Sequence, residues 1–139
     1  VFPFFRFGTP SENAIKMAKH IETGRAGEAI AVRFLEQKNY EILETNWRFS
    51  KAEVDIIAKD LDVLVFVEVK TRTSDAFGRP DAFITPQKER LMADAAAAYM
   101  EKTAHEWEIR FDVISILMTS ETDYQIQHFR DAFFPGLGS

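Results

Sequence analysis

Residues 53–70 read EVDIIAKDLDVLVFVEVK, two β-favouring runs on either side of an acidic turn. Residues 54–58 and 63–70 read as strands, and Asp60-Leu61-Asp62 between them as a tight turn, so the pair forms a hairpin. The run Val63-Leu64-Val65-Phe66-Val67 has no polar face, which predicts a strand at the centre of the sheet, covered on both sides. Side chains two apart share a face. With a two- or four-residue turn, opposed residue numbers sum to an odd value, which sets Asp55 across from Phe66 or Glu68. On that register Glu53, Asp55, Glu68 and Lys70 project together; a three-residue turn would need a bulge to preserve the alignment.

Two carboxylates held side by side repel, and each resists ionisation unless a cation offsets the charge. An all-oxygen donor pair suits Mg²⁺ or Mn²⁺, which take one or two carboxylates and complete their shell with water and phosphate oxygens. Asp55 and Glu68 are therefore candidate metal ligands, and Lys70 a candidate for orienting or deprotonating a water, or for stabilising charge that develops on a phosphate. The plainer alternative is an ion-pair ladder on a solvated strand face. Glu53 divides evenly between a salt bridge and a neighbour of the ligands.

Working outward, residues 20–38 favour helix, with Ala26, Ile30 and Phe34 on one apolar stripe, Thr23 as an N-cap and Asn39 as the stop. Residues 40–49 read as a strand ending in the Ser50-Lys51 turn, and residues 71–84 as a loop. Thr85-Pro86 pairs a hydroxyl cap with proline at the first helical position, opening an alanine-rich helix to about Lys102. Strands over 109–117 and 124–129 follow. The order α-β-β-β-α-β-β predicts an α/β fold, a mixed central sheet flanked by helices. Residues 1–19, rich in Phe, read as a loosely tethered extension in which Met17 is an alternative start; 20–134 form the domain and 135–139 a tail.

Glu28 falls in Gly24-Arg25-Ala26-Gly27-Glu28, with Val32 and Leu35 following it on a packing face. It reads either as a carboxylate needing a partner or a metal, or as an ordinary acid in a first helical turn. The two glycines permit close approach of another element or of a nucleic-acid backbone. His20, His105 and His128 are not spaced as ligands; His128 reads as structural, and Asp112 as the ion-pair partner of Arg110.

The 139 residues are 46% hydrophobic and 13% aromatic, enough for the core of one domain. The absence of cysteine excludes disulfides, thiolate zinc sites and cysteine nucleophiles. No apolar run approaches the roughly 20 residues of a membrane span, so the expected location is the cytoplasm. A net charge of −5 weighs against a nucleic-acid ligand, although basic residues clustered at the site can hold phosphates on an acidic protein.

Several of these segments together carry a resemblance. Gly24-Arg25-x-Gly27-Glu28, Asn46-Trp47-Arg48, Glu53-Val54-Asp55-Ile56-Ile57-Ala58, Val65-Phe66-Val67-Glu68-Val69-Lys70-x-Arg72, Pro86-x-Lys88, Arg110-Phe111-Asp112-Val113 and His128-x-x-Asp131-Ala132-Phe133 resemble the YraN-like family of predicted endonucleases. That family is similar to the archaeal Holliday-junction resolvases and to the wider PD-(D/E)xK superfamily. The resemblance implies a restriction-endonuclease-like αβββαβ core and Mg²⁺- or Mn²⁺-dependent cleavage of DNA. In this sequence Asp55 and Glu68 match the metal-binding acids, Lys70 the signature lysine and Glu28 the helix-borne glutamate; Ala52 stands where many members carry glycine.

Arg72 and Arg79 in the expected loop, and Lys88 and Arg90 where the second helix begins, are placed to meet phosphates. Lys88 leads, with a plain solvated lysine as its alternative. Arg48 is a further phosphate candidate, and Trp47 beside it reads as core rather than as a base-stacking platform. A nuclease on this pattern is expected to bind DNA and to form a homodimer. The rival is a module of the same fold that binds nucleic acid or a protein partner and does no chemistry.

Overall fold

The computed structural model describes residues 11–73, 84–120 and 122–134. Arg79, most of the loop that holds it, residues 1–10 and the tail from 135 lie outside the described residues. The elements are α1 (Glu12–Gln37), β1 (Glu41–Phe49), β2 (Ala52–Asp60), β3 (Val63–Arg72), α2 (Pro86–Thr103), β4 (Ile109–Met118) and β5 (Tyr124–Phe129). They build a mixed five-stranded sheet in the order β1-β2-β3-β4-β5. Only β3 and β4 run parallel, and α2 lies in the connection between them.

The apolar run of β3 occupies the centre of this sheet. Val65 and Val67 face α1, packing with Ile30, Ala31 and Leu35, while Leu64 and Phe66 face α2, packing with Met92, Ala95 and Tyr99. Burial on both faces is what a strand without a polar side requires. Trp47 belongs to the α2 layer, edge-on to Tyr99 at 5.2 Å between ring centroids.

Three local outcomes differ from the sequence expectation or refine it. The first helix begins at Glu12 rather than near His20: Ser11 is the N-cap, accepting the Ala14 N–H at 3.1 Å. Thr23 does not cap; its hydroxyl donates to the Lys19 carbonyl one turn back, a bond available inside a continuing helix. Residues 12–19, expected to belong to a loose extension, are therefore helical, with exposed side chains. At the other end Asn39 takes φ 68°, and the Asn39 and Tyr40 N–H groups donate to the Glu36 and Leu35 carbonyls, a left-handed stop of the kind asparagine tolerates.

The β2–β3 turn is the two-residue Leu61-Asp62, with Leu61 at φ 55° and Asp60 paired with Val63. Asp60↔Val63 through Ile56↔Val67 gives the odd sum expected, and the register ends there. Strict alternation nevertheless fails in β2. Val54 and Ile57, three apart, both face α2, so the strand is irregular at Asp55 and Ile56. Across from Asp55 on β1, between the pairs Thr45↔Ile56 and Trp47↔Val54, Asn46 takes φ 52°.

Candidate metal centre

The acids converge where the β2–β3 ladder stops. Register pairing ends at Ile56↔Val67, and beyond it the Asp55 carboxylate accepts the Val69 N–H at 2.7 Å, taking the place a strand carbonyl would have had. Glu68 is one residue back on β3, with a side chain only 6% exposed. Its Oε1 lies 3.5 Å from Lys70 Nζ, and its Oε2 3.5 Å from Lys88 Nζ on the first turn of α2. Thr85 fixes that turn by accepting the Lys88 N–H, and Pro86 preorganises it.

From the other side α1 brings Glu28. The helix approaches the end of β3 closely because Gly27 has no side chain: a Cβ there would overlap Thr71 Oγ1 and lie 3.0 Å from Thr71 Cγ2. Gly24, Glu28, Asp55, Glu68, Val69, Lys70 and Thr71 line a cavity of about 240 Å³. A second cavity of about 200 Å³ shares Glu28 and Asp55 and is lined also by Arg25, Ala29, Val32, Thr45, Asn46 and Ile56.

The electrostatics are those of acids crowded in a low dielectric. Burial, then the Glu68 charge, and more weakly Glu28, push the Asp55 carboxyl up to about 7, although the Val69 N–H and the Lys88 ammonium pull the other way. Glu68 Oε2 is buried and accepts no hydrogen bond. Among the described residues no three histidine or acidic groups already stand in a metal-binding arrangement. The donor set still fits a hard divalent cation: two adjacent carboxylates, one with a disfavoured charge and one with an oxygen lacking a hydrogen bond, and a third acid beside them. Asp55 and Glu68 would hold the ion, with Glu28 at its flank.

The structure thus brings together Glu28, Asp55, Glu68, Lys70 and Lys88, and leaves others apart. Glu53 takes the salt-bridge alternative, pairing with Arg48 at 3.4 Å because Arg48 lies directly across the β1–β2 register. Arg48 itself is 76% exposed and stands outside the cavity linings named above. Arg72 ends β3, half-buried, and Arg90 is exposed on α2. The direct pairing of Lys88 with Glu68 was not read from the sequence. Its only signal was the cap Thr85-Pro86, which fixes the first turn of the helix without saying which strand it meets.

A second polar cluster lies on the α1 side of the sheet, away from the cavities. Asp112, fully buried, accepts from Arg110 at 2.8 and 2.9 Å, contacts His128 Nε2 at 2.8 Å and accepts the Asp131 N–H at 3.0 Å. Arg110 also reaches the Tyr40 hydroxyl and Asp60. Burial alone would raise the Asp112 carboxyl, but these hydrogen bonds outweigh it and hold the group below its ordinary range. The expected Arg110–Asp112 pair and a structural His128 are both present, joined in one network.

No helix among the described residues is long and apolar enough to cross a membrane. Residues 27–116 match the model of the uncharacterised protein family UPF0102. A UPF0102 protein of Flavobacterium psychrophilum is 47% identical over 118 residues, covering 85% of this chain and 98% of that protein. One of Geotalea daltonii is 47% identical over 111 residues, covering 79% and 87%, and one of Rhodococcus opacus 40% identical over 118 residues, covering 84% and 100%. The chain therefore belongs to the UPF0102 family, the YraN-like proteins that its motifs resemble.

Proposed function

We propose that this protein is a cytoplasmic, metal-dependent DNA endonuclease with a restriction-endonuclease-like core, acting on DNA that includes branched forms. The observation that carries the reading is the placement of Asp55 and Glu68 side by side at the open end of the β2–β3 ladder, with Lys70 on Glu68 and Glu28 alongside. The order of helices and strands and the single parallel pair agree with an αβββαβ core. A divalent cation supplies Lewis acidity toward a phosphodiester and makes water a stronger nucleophile near neutral pH.

The chain's own groups then have distinct work. Asp55 and Glu68 hold the ion, and the Val69 N–H fixes the Asp55 carboxylate so that little reorganisation is needed on loading. Lys70, two residues beyond Glu68, orients the attacking water or stabilises charge on the phosphate oxygens. Lys88, close enough to pair with Glu68, would contact a phosphate brought to these acids. Attack by water forms one P–O bond and breaks another, leaving a hydroxyl end and a phosphomonoester end.

A rival reading has its own support. Both oxygens of Glu68 face lysines, an arrangement that satisfies the acid without metal and suits a module that binds and does not cut. Calorimetric titration of Mn²⁺ into the purified protein and into Glu68→Ala separates the two. Saturable binding lost in the variant, with DNA cleavage lost on Asp55→Asn, is the expected result. DNA binding indifferent to chelator, with no cleavage of duplex or branched substrates, would overturn the nuclease assignment.

A further inference from the structure

Gly24 lies in the interior of α1, where glycine weakens a helix relative to alanine. Its neighbour three residues on, Gly27, has an evident reason to lack a side chain in the approach to Thr71. Gly24 has no such reason: among the described residues nothing lies within 4 Å of where its Cβ would be, and α1 runs through it without a break. The position opens instead onto the cavity that holds Glu28, Asp55, Glu68 and Lys70. Arg25, the next residue, is exposed and lines the adjoining cavity. Glu68, on the same cavity, presents a buried Oε2 that accepts no hydrogen bond and has Lys88 Nζ at 3.5 Å.

We infer that Gly24 is a substrate-contact position: the sugar–phosphate backbone of bound DNA, next to the phosphate at the metal centre, crosses α1 over Gly24, with Arg25 beside it. This rests on the nuclease reading and adds the path of the substrate. A nucleic-acid backbone is broad and stiff, so it meets a helix closely only where the helix surface is bare, and among the described residues Gly24 is a bare point on the cavity wall. Lys70 on this cavity and Arg25 on the adjoining one supply opposite charge to the strand.

The test is the series Gly24→Ala and Gly24→Gln, measured for thermal stability, for Mn²⁺ binding without DNA, and for binding of a fluorescein-labelled DNA duplex by anisotropy in Ca²⁺. Melting should rise by about 3 °C as the helix gains a better former. Mn²⁺ binding should be unchanged, while DNA affinity should fall several-fold for Ala and at least tenfold for Gln. Unchanged DNA affinity across the series, when the unsubstituted protein binds the duplex, overturns this inference alone. A lowered melting temperature in Gly24→Ala also overturns it, because a protein segment then fills the space. If the unsubstituted protein does not bind DNA at all, the inference and the reading beneath it fail together.

Discussion

Asp55 and Asp112 are both withdrawn from water, and their surroundings treat the charge in opposite ways. Asp112 has four donors from Arg110, His128 and the Asp131 N–H; Asp55 has one backbone N–H and two acids nearby. An Asp55 carboxyl at about 7 in the native protein, against 3.8 ordinarily, means that the folded state holds a proton the unfolded chain has released. Without metal, stability should therefore fall as pH rises between these values and stay low above them. The full difference corresponds to at most about 4 kcal/mol, and relaxation and water entry reduce it. Asp55→Asn, which keeps an acceptor for the Val69 N–H, should be more stable than the parent by about 1–2 kcal/mol near pH 8 in chelator and should match it near pH 4. Urea denaturation at the two pH values checks this, and equal stability near pH 8 would show that no charge is strained there. Asp112, held low, works the other way: its contribution is present above the ordinary carboxylate range and is lost as pH falls through its lowered native value. Asp112→Asn should cost about 2–4 kcal/mol at neutral pH by leaving Arg110 without its charged partner, with the deficit shrinking in acid.

At the scale of elements, the contact of α1 with β3 depends on one missing side chain. Gly27→Ala should destabilise by about 1–3 kcal/mol, since the Thr71 backbone follows the strand and cannot retreat freely. Thr71→Gly should be harmful alone but should relieve part of that loss in combination, giving a favourable coupling in a double-mutant cycle by denaturation. Additive losses would mean that α1 shifts as a body instead. The hairpin, the central strand and the proline-capped second helix were legible because each is fixed by residues close in sequence: a two-residue turn, an unbroken apolar run, Thr85 before Pro86. Three features were not legible. Which glycine met an element depended on Thr71, far along the chain. The irregularity in β2 lies opposite Asn46 of another strand, and which of its two readings Glu53 took, the salt bridge, depended on Arg48 across that pairing. The first helix begins at Glu12, capped by Ser11, because nothing local interrupts it at Thr23, whose hydroxyl bonds back to the helix as readily as it caps.

Over the whole molecule the net charge of −5 sets how DNA can be held. The carboxylates that the site concentrates repel phosphate until a cation neutralises them, so the sequence-level objection from charge and the site geometry describe one property. Among the described residues the basic groups near the cavities are few: Lys70 and Lys88 at the acids, Arg25 on the second cavity and Arg72 ending β3. About four phosphate contacts predict a slope of log affinity against log salt near −3.5, shallow for a DNA-binding protein. Binding should also depend on a divalent ion and disappear in chelator. Anisotropy titrations over a salt series in Ca²⁺, repeated with chelator, measure both. A slope near −8, or affinity that survives the chelator, would mean that DNA lies on some other surface and that the acids at the end of β3 have no part in receiving it.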